Sequence, residues 1–237
     1  MITCPITLTA INTACGTNMG GVKEVAIGNF GLATFEFEYQ ILDEITSTEY
    51  QSLDTTEKAK YEANGDTYIK YAKNTDGEKI IASIAKATLE QGADKMKKFA
   101  FREQTASFEQ TLEANDNGIN FWTANVSLVF SKCDSYKRLS IQSILMADTC
   151  AIVTDNNKQK WFIGLERPLR MLEGSATSGV QYADDNMFSL TLSCSDTILA
   201  LPISDEAYNA IVETTTTSTT TNGNQNNGGY NGGDLVG

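Results

Sequence analysis

Thirty carboxylates, eighteen lysine and arginine side chains, five cysteines and no histidine define the chemistry open to this 237-residue chain. Without an imidazole there is no histidine general base, no histidine metal ligand and no histidine pH switch. Nucleophilic catalysis would then need a Ser–Lys or carboxylate route. GSATSG at 174–179 does not match the GxSxG elbow and reads as a Ser/Gly loop. Glycoside hydrolysis needs only two facing carboxylates, which thirty acids can supply, yet no spacing singles out a pair. Gly16, Gly20 and Gly21 precede Lys23 without the GxxxxGK[ST] spacing of a phosphate cradle, so they read as a turn. Asn74, Asp76 and Gly77 resemble a fragment of a calcium loop, but Ala72 and Ser83 stand where its first carboxylate and its bidentate glutamate belong. Asp155-Asn156-Asn157 and Asp184-Asp185-Asn186 read as turn formers. Asn125-Val126-Ser127 matches a glycosylation sequon by chance in a mid-strand position. The expectation is a protein that is not an enzyme, with no catalytic residue, no cofactor and no metal.

The cysteines, at 4, 15, 133, 150 and 194, form neither a CxxC pair nor an even framework, and are read as reduced, mostly buried residues of a reducing compartment. A net charge of -12 argues against binding nucleic acid by phosphate neutralisation and against docking on anionic lipid. The apolar start MITCPITLTAINTACG lacks the basic and continuous apolar regions of a signal peptide. No run of about 18 apolar residues occurs, so no membrane span is expected.

The elements that would position these groups are mainly strands. TFEFEYQI at 34–41 alternates Phe35, Phe37, Tyr39 and Ile41 with Glu36, Glu38 and Gln40, which places both carboxylates on one face of an extended chain. Further strands are expected at 2–9, 22–28, 67–72, 119–130, 149–154, 160–165 and 187–195. A long extended segment over 96–114 places Glu103, Glu109 and Glu113 at odd positions, opposite Phe108 and Leu112. Asp116-Asn117-Gly118 and 155–158 signal hairpins. Residues 79–91 fit a helix face and a strand equally well. One good helix is expected near 134–147, capped by Asp134 or Ser135, with Tyr136, Leu139, Ile144 and Leu145 packed on a sheet. The region 43–66 reads as an acidic, solvated excursion with one short helix after Asp54 or Thr55, ended by Asn64-Gly65; nine acids and two lysines over 36–66 give it a net charge of -7. Residues 1–212 thus read as a single mostly β domain, and the Thr/Asn/Gly-rich 213–237 as a tail with too little to bury to fold alone.

Four stretches carry a resemblance: GGVKEVAIGNF (20–30), FREQTASFEQTLEAND (101–116), AIVTDNNKQKWFIG (151–164) and GSATSGVQYADDNMFSLTLS (174–193). In that order they resemble virion structural proteins of tailed bacteriophages, of the tail-tube-like type, over roughly 20–203. The resemblance implies an antiparallel β-sandwich or barrel with a flanking helix, and makes 79–91 a strand. It implies a virion tail protein, made in the host cytoplasm, whose subunits form rings, hexameric in a tail tube, around a channel through which genomic DNA passes without specific binding. Partners would be the chain itself and other virion proteins. Such a channel should repel phosphates, so Glu36, Glu38, Glu103, Glu109 and Glu113 are the expected lumen-facing acids. Two other readings remain open: a connector, decoration or fibre-base protein of the virion, and a carbohydrate-binding β-sandwich using Trp122, Trp161 and tyrosines as stacking platforms.

Overall fold

The computed structural model describes residues 19–74, 77–101, 104–114, 120–180 and 186–213. The expected strand at 2–9, the turn at 116–118, Glu103 and the tail from 214 onward lie outside them. In chain order the elements are β1 (Val22–Asn29), β2 (Ala33–Tyr39), β3 (Ile41–Thr46), α1 (Ser47–Ser52), α2 (Thr55–Lys58), β4 (Glu62–Asn64), β5 (Thr67–Tyr71), β6 (Ile81–Leu89), β7 (Lys97–Phe99) and β8 (Ser107–Ala114). They continue with β9 (Asn120–Ser131), α3 (Ser135–Met146), β10 (Thr149–Asp155), β11 (Lys160–Ile163), β12 (Arg170–Thr177), β13 (Met187–Asp196), β14 (Leu201–Pro202) and α4 (Asp205–Ile211). The fold is mostly antiparallel β with flanking helices, and its sheets do not close into a barrel.

The central layer is the sheet β14-β11-β10-β1-β7. Its middle strand β10 reads TCAIVTD, with six consecutive buried residues, the pattern of a strand covered on both faces. Alternation sends Ala151 and Val153 to one side and Cys150 and Ile152 to the other. On the first side, Val25, Ile27, Ala151, Val153 and Ile163 meet Val126, Leu128, Leu190 and Leu192 of the second sheet, β12-β13-β9-β8. These two sheets form the sandwich. On the second side, Ala26, Ile152 and Phe162 are covered by the two-stranded β2–β6 ribbon and by α4, with Phe35 packing edge-on against Phe162 at a ring-centroid distance of 4.8 Å. The close approach of β1 to Met96 requires a glycine, since a Cβ on Gly28 would sit 2.7 Å from Met96 Cγ.

The ribbon runs on into a small arm. Gln40 joins the two parts: its N–H donates to the Ile80 carbonyl, while its own carbonyl accepts from the Ala72 N–H. Beyond it, β3, β5 and β4 form a three-stranded sheet with α1 and α2 in its connection. The Tyr50 ring stacks on Tyr68 with centroids 3.6 Å apart and planes 4° from parallel. Thr46 closes a capping box with Glu49, and Asp54 caps α2.

Several sequence expectations change. The acidic 43–66 excursion is a folded arm, and residues 62–64 are a strand where helix was expected; Asn64-Gly65 turns a hairpin between β4 and β5. A second short helix, α1, precedes the expected one. The 34–41 strand breaks at Gln40, and 96–114 splits into β7 and β8. GSATSG is not simply a loop, because 174–177 end β12. Its Gly and Ser residues hide a strand whose side chains face solvent. Helix α4 carried no periodic signal strong enough to announce it. In α3, Ile141 and Ile144 face the core, whereas Tyr136, Leu139, Leu145 and Met146 are exposed. Apolar residues occur on both sides of this helix, so spacing alone did not identify the buried one.

Candidate functional site

The outer face of the β12-β13-β9-β8 sheet carries the clearest ordered arrangement of polar side chains. Strands β9 and β13 alternate strictly, so core-facing Val126, Leu128, Leu190 and Leu192 leave the intervening residues on the opposite face, and a bulge in β12 between Met171 and Glu173 resets its register there. Antiparallel register aligns those residues into rows: Thr111, Thr123 and Ser195; Glu109, Asn125, Ser193 and Arg170; Ser107, Ser127, Thr191 and Glu173. Hydroxyls link neighbouring strands, with Ser127 to Thr191 at 3.0 Å, Ser175 to Ser189 at 2.7 Å and Thr123 to Ser195 at 3.4 Å. Thr123 also donates to Glu113 at 2.6 Å. The result is a face of mainly short hydroxyl side chains, bordered by Phe121 and Val129 and studded with Glu109, Glu113 and Glu173. Its one cation in these rows, Arg170, is held by Asp148 at 2.8 Å, and that contact keeps the Asp148 carboxyl below its usual range.

The expected lumen acids therefore separate into two groups. Glu109 and Glu113 lie exposed on this face. Glu36 and Glu38 lie exposed on β2, on the layer that covers the opposite side of the central sheet. There Glu38 accepts a hydrogen bond from Ser83 at 2.7 Å, and Glu36 stands opposite Lys86 across the ribbon. The two pairs do not share a surface, and Glu103 lies outside the described residues.

Asp196, Cys150 and Cys194 have strongly perturbed titration and line none of the larger cavities among the described residues. Burial, with a proton-sharing contact to Glu166, raises the carboxyl of Asp196, which also accepts from the Thr197 N–H at 2.8 Å. The adjoining void, lined by Gln110, Cys194, Asp196 and Leu199, has a volume of about 10 Å³, room for a water and far too little for a sugar ring. Burial pushes the Cys150 thiol up to about 12 and the Cys194 thiol up to about 11, which keeps both protonated and unreactive. Among the described residues, no three His, Cys, Asp or Glu side chains are grouped to hold a metal ion. Trp122 lies in β9 opposite Leu112 and Asp196, and Trp161 in β11 opposite Val153, both partly buried. No helix among the described residues is long and apolar enough to cross a membrane.

A second surface has the opposite character. The turn into α3 and the helix itself bear Lys132, Lys137 and Arg138 beside the exposed Tyr136, Leu139 and Met146. Tyr136, Leu139 and Met146 fall at i, i+3 and i+10, one helical stripe. The arm, at the other extreme, holds most of the nine acids between 36 and 66. The hydroxyl face emerges only from strand register, and no local motif in the sequence announces it. Compared with protein families, curated proteins and solved structures, the chain matches none.

Proposed function

We propose that the chain is a structural subunit of a bacteriophage virion, of tail-tube type, that assembles into rings around a channel for DNA. The observation that carries this reading is the hydroxyl and carboxylate face of β8, β9, β13 and β12. Short, mutually hydrogen-bonded hydroxyls give a passing polyanion few flexible cations to hold it, and Glu109, Glu113 and Glu173 repel its phosphates. The four stretches that resemble tail-tube-like proteins and the net charge of -12 support the same reading.

In this assembly the hydroxyl face lines the lumen, and Glu36 and Glu38 serve the outer layer on the β2–β6 ribbon that leads into the arm. The contact between subunits joins unlike surfaces: the acidic arm of one copy docks on the basic and apolar α3 surface of the next. A contact between two different patches is head-to-tail, and closes into a ring when its rotation permits. Charge complementarity sets its register, and burial of Tyr136 and Leu139 supplies apolar area.

The test is charge reversal within assembled particles. Glu109→Lys with Glu113→Lys should leave particles intact while slowing DNA release, because each lysine adds a phosphate contact. Normal release from such particles would remove the lumen assignment.

A further inference from the structure

On an acidic protein, one pocket is basic. An open cavity of about 340 Å³ is lined by Lys23, Lys98, Lys158 and Lys160, together with Glu24, Thr154, Asp205, Tyr208 and Asn209. It lies where the central sheet runs out beyond its second core. Glu24, Thr154 and Lys160 form one cross-strand row there, and α4 covers the row. Lys98 and Lys160 both reach the Tyr208 ring, 5.4 and 5.1 Å from its centroid. Tyr208 donates to Glu24, Lys98 pairs with Glu24 at 3.2 Å, and Lys160 pairs with Asp205 at 2.5 Å.

Those contacts fix the floor and leave a positive surplus. Four ammonium groups face two carboxylates, and Lys23 and Lys158 have no acidic partner among the described residues. Each arrives by a local irregularity: Lys23 is the extra residue of a bulge in β1, and Lys158 takes a φ of 69° in the β10–β11 turn. The second observation is independent of charge. Thr154, only 8% exposed, lines the cavity, and its buried Oγ1 has no hydrogen-bond partner. A buried hydroxyl left unmatched costs stability unless something binds it.

We infer that this pocket is a binding site for a compact tetrahedral oxyanion, a phosphate group. Lys23 and Lys158 would neutralise the oxygens from the rim, and Thr154, whose Oγ1 is shielded from solvent in the unbound chain, would donate to one of them after turning about χ1. Four lysines and no arginine suit a point-charge site for phosphate better than the forked recognition of a planar carboxylate. The surplus of two positive charges matches a phosphate dianion. The inference does not depend on ring assembly.

The experiment is titration of the full-length protein with inorganic phosphate at constant ionic strength, followed by amide and lysine NMR shifts, with chloride and acetate as parallel titrants. Saturable shifts confined to Lys23, Thr154, Lys158 and Tyr208 with phosphate, and absent with acetate, are expected. Lys158→Gln, at an exposed position, should weaken binding about fivefold, as expected for one partly exposed charge contact. Thr154→Val keeps the side-chain shape and should weaken it further. Unsaturable shifts, equal response to acetate, or unchanged affinity in Lys158→Gln would overturn the site.

Discussion

Thr123 donates its hydroxyl proton to Glu113 across the β9–β8 pair at 2.6 Å, while its oxygen also lies 3.4 Å from Ser195 on the other flank. One short side chain thus ties three strands of the outer face and holds a carboxylate upright on it. Thr123→Val, which keeps the shape and removes the hydroxyl, should cost about 1 kcal/mol in urea unfolding. Its larger effect should be a mobile Glu113, visible as loss of order at its carboxylate by NMR.

The docking proposal gives a reversal test. Arg138→Glu with Leu139→Glu changes two exposed positions of α3, so the fold should hold within about 0.5 kcal/mol. Ring formation should fail, as read by sedimentation. A compensating Glu57→Lys with Glu44→Lys in the arm should restore part of it, since the proposed contact rests on opposite charge.

The arm has its own stability. Tyr50 stacked on Tyr68 should contribute about 0.5–1.5 kcal/mol beyond its burial. Tyr50→Ala should therefore increase hydrogen exchange through β3, β4 and β5 while leaving β10 and β13 protected. Equal loss of protection in the core strands would mean that arm and sandwich unfold as one unit.

At the sheet centre, Ile152→Ala should destabilise the whole domain by about 2–5 kcal/mol, because this fully buried side chain fills the second core with Phe162 and Ile84. Gly28→Ala should also destabilise, by about 1–3 kcal/mol, since its Cβ would strike Met96. Denaturant midpoints measure both.

Asp196 gives a pH dependence of defined sign. Its folded-state carboxyl is raised by burial and by the contact with Glu166. The unfolded chain therefore releases this proton first as pH rises, and the stability contributed by the protonated form is lost between the unfolded and the folded pKa. Asp196→Asn should gain stability relative to the natural chain as pH climbs from about 4 toward neutrality. Parallel pH profiles for the two proteins would contradict the assignment.

Strong alternation and turn chemistry made much of the sandwich legible. The expected strands at 22–28, 119–130, 149–154 and 187–195 all match observed strands closely, and Asp134 caps α3 as its position suggested. Weak local signals failed where tertiary contacts decide. Residues 62–64 became a strand because β5 offers them a partner, and α4 winds because the second core takes Ala207, Tyr208 and Ile211. The acids at 36, 38, 109 and 113 were legible as strand-face residues, but their division between two layers was not. Alternation says which side of a strand a residue faces, and only topology says which layer that strand occupies. The basic pocket was also hidden, since its four lysines come from β1, β7, the β10–β11 turn and β11.

The central claim is that this chain forms rings with the β8–β9–β13–β12 face turned inward. Electron cryomicroscopy of the purified, concentrated protein, or of the particle containing it, measures this directly. The account predicts closed rings with Glu109 and Glu113 toward the axis and the arm of each subunit lying against α3 of its neighbour. A protein that stays monomeric at all concentrations and has no place in a tube, or rings with that face turned outward, would contradict it.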